Sequence, residues 1–87
     1  MSTVVEFAFT APAGWRDMPG WMVGARLRGE IAESVLVQIF GPLKSESPSS
    51  MVTLNKPSIE IAASRRARTL ANRPTGPIVL TAEDFNA

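Results

Sequence analysis

Apolar and polar residues alternate through Val4–Thr10, where Val5, Phe7 and Phe9 interleave with Val4, Glu6, Ala8 and Thr10. A period of two is the signature of a half-buried strand. A second such pattern runs from Trp21 to Arg28. Trp21, Val23, Ala25 and Leu27 fall on one side, and Met22, Gly24, Arg26 and Arg28 on the other, which puts both arginines on an exposed face. Gly29 and Glu30 offer a turn, in a connection that can extend to Ser34. Val35–Phe40 is an almost continuous apolar run of β-branched and aromatic residues, interrupted by Gln38 and followed by Gly41 and Pro42. It reads as a strand covered on both faces. This run is expected to be the central strand, with Val35, Val37, Ile39 and Phe40 among the most buried residues.

Pro12, Gly14, Pro19 and Gly20 break any regular element, so Ala11–Gly20 is expected to be a structured loop, with Trp15 at its centre and Trp21 at its exit. Lys44–Ser50 has the Ser-rich composition of an exposed loop. Met51–Leu54 reads as a short strand, and Asn55 with Pro57 as a boundary. Over Ser58–Asn72, Ile59, Ala62, Ala63, Ala67 and Leu70 share one helical face, together with Arg66. The competing reading makes Ser58–Ala63 a strand, because Ile59 and Ile61 flank Glu60. Pro74, Gly76 and Pro77 stop a helix, Ile78–Leu80 can add a last strand, and Thr81–Ala87 has no core pattern. The pattern as a whole predicts an α+β fold: a small, mainly antiparallel β-sheet of three to five strands packed by one helix, with residues 1–87 as a single small domain.

Length sharpens this picture. A chain of 87 residues folds to roughly 5,000 Å² of accessible surface and buries only about 60% of what its unfolded form exposes. Modest stability and help from a partner are therefore expected. The sequence has no Cys, no His and no Tyr, which removes disulfides, thiolate nucleophiles, cysteine-ligated zinc and the commonest general base. A serine nucleophile would need a lysine, and neither Lys44 with Ser45 nor Lys56 with Ser58 sits in an oxyanion-hole pattern. The acidic pairs Glu30 with Glu33 and Glu83 with Asp84 read as solvated charges, and the glycines form no phosphate cradle. The expectation is a protein that is not an enzyme, with no catalytic residue, no cofactor, no metal and no small-molecule substrate. Met1–Thr10 lacks the apolar segment of a leader, and Val35–Phe40 is far shorter than the ~20 residues that span a bilayer. No membrane is expected, and the expected location is the cytoplasm or a virion.

Net charge is +1, but its distribution is uneven. Lys56, Arg65, Arg66, Arg68 and Arg73 face a single acid, Glu60, within Lys56–Arg73. In one reading these five residues bind a nucleic-acid backbone. In the plainer one, Arg65, Arg66 and Arg68 are the solvated side of an amphipathic helix, and no aromatic residue lies between Arg65 and Arg73 to stack on bases. Trp15, Arg16, Met18 and Trp21 form the other candidate surface, for a protein partner, with Trp15 as its anchor; the plain alternative folds both tryptophans back as caps on the sheet. Phe9–Asp17, F-T-A-P-A-G-W-R-D, resembles the opening strand and Pro, Gly-Trp element of the PsbP-like fold group, which implies an α/β binding protein; no site residue or activity is carried over from these nine positions. The function expected is that of a non-catalytic structural or interaction protein, a small subunit of a larger assembly. Its concrete form would be a phage virion accessory, a capsid decoration or tail protein, with a protein partner or self-assembly. The alternatives are a nucleic-acid-binding module built on the basic segment and a small inhibitor or antitoxin-like binder.

Overall fold

Period-two burial brings strand β1 to Val4–Thr10, with Val5 and Phe9 inside and Val4, Glu6 and Thr10 outside. A computed structural model describes residues 3–11, 14–43 and 46–86. Strand β2 (Arg26–Ala32) pairs antiparallel with β1, from Val4 opposite Ala32 to Thr10 opposite Arg26. Strand β3 (Ile78–Leu80) lies parallel on the other side of β2, Gly29 facing Ile78 and Ile31 facing Leu80. The order is β1-β2-β3, a mixed sheet. Between β2 and β3 the chain passes through helices α1 (Glu33–Phe40), α2 (Pro48–Leu54) and α3 (Lys56–Arg68). The fold is α+β, with a three-stranded mixed sheet packed against three helices where the pattern implied one.

One face of the sheet carries the core. Val5, Phe9, Leu27, Ile31, Ile78 and Leu80 are buried there under Ile59, Ala62, Ala63 and Ala67 of α3 and Met51 and Val52 of α2. The helix expected over Ser58–Asn72 thus exists, with the face the spacing gives, and the strand reading of Ser58–Ala63 is overturned. Arg66 sits at the rim of that face, exposed. The other face of the sheet carries Val4, Glu6, Thr10, Arg26, Arg28 and Val79, all exposed.

Val35–Phe40 is no strand. It forms most of α1, in which only Leu36 is fully buried and Val37 retains 38% exposure. A short apolar run has no period that separates strand from helix, and its flanks decide. Glu33 occupies the first turn, where the helix dipole favours an acid, and Gly41 at φ 91° closes the last turn by donating its N–H to the Val37 carbonyl. Met51–Leu54 is likewise helical, not a strand. Ser47 caps α2 by accepting a hydrogen bond from the Ser50 N–H at 3.2 Å, and Pro48 opens the first turn. Asn55 ends α2 by donating from Nδ2 to the Met51 carbonyl at 2.9 Å, so the expected boundary falls between two helices. The strand expected from Trp21 begins only at Arg26, because Gly20–Met22 is a 3₁₀ turn and Gly24 takes φ 70°. Thr81–Asn86, without a pattern in the sequence, forms a 3₁₀ turn at Ala82–Phe85 closed by a capping box between Thr81 and Asp84.

Gly29 and Glu30 do not turn; β2 runs through them. Gly29 lies opposite Phe7, and a Cβ there would meet the Phe7 ring, with Cε2 2.8 Å away. The glycine is the space into which the ring folds, so the strand continues because its partner covers it. Gly29→Ala should therefore lower stability by about 1–3 kcal/mol through overpacking, measured by chemical denaturation. Unchanged stability would mean that the ring swings aside freely. Ser64 of α3 predicts the opposite sign. It is fully buried and its Oγ has no hydrogen-bond partner among the described residues. Ser64→Ala should raise stability by about 0.5–1 kcal/mol, and a loss in the same experiment would reveal a bonded hydroxyl.

Candidate functional site

The loop between β1 and β2 is fastened to the C-terminal end of α3. The 3₁₀ turn at Gly20–Met22 buries Met22 completely and leaves Trp21 packed against the core, its indole N–H donating to the Leu70 carbonyl at 3.3 Å. Arg68 reaches across from α3: its guanidinium carbon lies 5.0 Å from the centre of the Trp15 ring, and its Nη2 donates to the Arg16 carbonyl at 2.6 Å. Two candidates that the sequence keeps apart, the basic run and the tryptophan loop, meet at this clamp. Met18 is half-buried and packs on the core, whereas Arg16 is exposed. Gly14, Asp17 and Gly24 hold left-handed backbone angles, and around them Trp15, Met18 and Val23 line a cleft of about 450 Å³. Asp17 is the non-glycine residue there at φ 61°, a conformation Asp tolerates better than most.

Arg65, Arg66 and Arg68 do not form one stripe. Arg66 Nη1 lies 3.8 Å from Asp84 Oδ1, while Asp84 Oδ2 accepts the Thr81 N–H at 2.8 Å. Arg65 lines a depression with Ile39, Phe40, Ile61 and Phe85, and Arg68 is held at Trp15. Lys56 is exposed in the first turn of α3, on the side of a cleft that faces β1. Arg73 departs from all of these. Its Nη2 donates to the Arg26 carbonyl at 3.3 Å, and with Arg26 and Arg28 it surrounds a cleft of about 270 Å³ floored by Pro74, Thr75 and Gly76. Sequence reasoning saw Arg26 and Arg28 only as an exposed strand face. Their alternation was the available signal, but nothing local connects them to a residue 47 positions away.

A third surface lies between α1 and α3. Val37 keeps 38% of its surface and Ile61 40%, while Ile39 and Phe40 are half-buried. Phe85 stands edge-on to Phe40, 5.6 Å between ring centres at 89°. Ile39, Phe40, Ser58, Ile61, Arg65 and Phe85 line a depression of about 290 Å³ there.

Groups with chemical potential are scattered. Glu30 pairs across the sheet with Glu6, away from Glu33 in α1, and Asp84 is occupied by its cap and by Arg66. Lys56 and Ser58 are exposed at the start of α3, and Lys44 with Ser45 lies outside the described residues. Among the described residues, no three acids approach closely enough to hold a metal ion, and no helix is long and apolar enough to cross a membrane.

The clamp ties Trp15 to the end of α3. Arg68→Lys keeps the charge but loses the planar stack and the forked donor. It should cost about 1–2 kcal/mol in thermal unfolding and increase solvent quenching of Trp15 fluorescence; a variant equal to the parent in both would free the loop from α3. No family model, curated protein or solved structure matches the chain.

Proposed function

We propose that the chain is a non-catalytic structural protein, a small subunit that assembles with further copies of itself through the apolar seam between α1 and α3. The observation that carries this reading is the state of α1. Its sequence, E-S-V-L-V-Q-I-F, is that of a buried element, yet only Leu36 is fully buried. Val37, Ile39, Phe40 and Ile61 remain wholly or partly in contact with water. Removing apolar surface from water is worth about 25 cal/mol per Å², so covering such a seam supplies a driving force the monomer does not use.

The rim of the seam supports a self-complementary contact. Arg65 borders the depression, and Glu33 opens α1. In a two-fold contact the same patch is used by both partners, so Arg65 on the rim of one copy meets the seam of the other, while Glu33 lies outside the residues that line the depression. On this reading the tryptophan loop acts as a cap on the sheet end, and the seam carries the assembly energy.

Light scattering over a concentration series tests the reading. The parent should gain mass with concentration, while Ile61→Lys and Ile61→Glu stay monomeric and unfold within about 0.5 kcal/mol of the parent, as surface substitutions do. A parent that remains a monomer throughout, or variants that associate as it does, would contradict the proposal.

A further inference from the structure

We infer that Arg26, Arg28 and Arg73, with Thr75 and Gly76, form a binding site for phosphate groups, separate from the assembly seam and independent of it. Arg26 and Arg28 alternate on β2 and project from its open face, roughly 6.6–6.8 Å apart along the strand. Arg73 is drawn to the start of the same strand by its hydrogen bond to the Arg26 carbonyl. Three arginines thus line one cleft of about 270 Å³, and no carboxylate is among the residues lining it. The ion pair that the described residues do contain, Arg66 with Asp84, lies elsewhere. The nearest acid along the open face of β2 is Glu30, which stands opposite Glu6.

Three like charges gathered at one cleft repel one another unless an anion joins them. The floor adds neutral donors. The backbone N–H groups of Thr75 and Gly76 make no hydrogen bond to other backbone among the described residues, and the Thr75 hydroxyl makes none to any protein group there. Three forked guanidinium groups and two amides offer more donors than the two oxygens of a carboxylate can accept. A phosphate presents more oxygens and, when terminal, a second negative charge, and planar guanidinium forks match it in bidentate fashion. Phosphate chemistry is therefore the better fit, whether it comes from free phosphate or from the backbone of a nucleic acid.

The full chain is titrated at low salt with inorganic phosphate, pyrophosphate and a single-stranded oligonucleotide, with polyglutamate as the carboxylate control, and binding is read by calorimetry and by amide chemical shifts. At least one phosphate ligand should bind, shifting Thr75 and Gly76. Arg28→Gln is the informative variant, since the Arg28 side chain makes no hydrogen bond or ion pair among the described residues, unlike those of Arg68 and Arg73; it should weaken binding about 10-fold. Arg66→Gln should leave it within about twofold, because only a distant charge is lost. Competition by inorganic phosphate would identify free phosphate as the ligand. Binding of the oligonucleotide alone, with a salt slope reduced by about 0.7 in Arg28→Gln, would identify a nucleic-acid backbone. The inference is overturned if no phosphate ligand binds, if polyglutamate alone binds, if Arg28→Gln binds as the parent does, or if Arg66→Gln loses as much.

Discussion

The structure depends on covering the single apolar face of a three-stranded sheet. Six buried side chains from β1, β2 and β3, with the half-buried Phe7, point to that face, and leaving it in water would forfeit the burial that drives folding. Helix α3 supplies most of the cover, and it does so with Ile59 and three alanines, Ala62, Ala63 and Ala67. Small side chains let the helix lie close to the sheet, where larger residues on β1 and β3 fill the gap. The position beneath the sheet is then taken. Helix α1, which leaves β2 directly at Glu33, has only the margin to pack against and buries Leu36 there.

That competition explains what was legible in the sequence. β1 follows from its period of two and the buried face of α3 from its helical spacing, with a strand as the rival over Ser58–Ala63, whereas β3, apolar at all three positions, was marked by the breaks at Pro74, Gly76 and Pro77 before it. Val35–Phe40 is apolar on every side, so its spacing is silent, and its hydrophobicity pointed to the centre of the sheet that α3 in fact covers. The start of α2 was written in Ser47 and Pro48, a cap followed by a residue suited to the first helical turn, but a Ser-rich context resembles a loop. Gly29 resembles a turn until Phe7 is placed over it. For the surfaces, the limit was distance along the chain. Arg68 meets the Arg16 carbonyl across 52 positions and Arg73 meets that of Arg26 across 47, and no local pattern encodes either meeting.

The molecule is elongated, 40 × 23 × 19 Å, and β2 organises its ends. Arg26 and Arg28 stand near the beginning of the strand, next to the loop that Arg68 and Leu70 hold in place, while α1 follows its last residue. From Arg28 to the start of α1 at Glu33 the strand runs roughly 16–17 Å, which separates the arginine cleft from the apolar helix. Occupying the seam would leave the cleft open. An assembly joined at α1 would then repeat the cleft once per copy, a multivalent arrangement in which weak single sites can act together.

Native-state hydrogen exchange tests most directly whether α3 has displaced α1 from the core. If α3 covers the sheet and α1 sits at its margin, held by Leu36 with Val35 and Phe40 only partly buried, the amides of β2 and α3 exchange last in dilute protein. Those of α1 open early and become protected as concentration rises. Amides of α1 that exchange as slowly as those of α3 in dilute protein would contradict this packing and remove the basis for assembly through the seam.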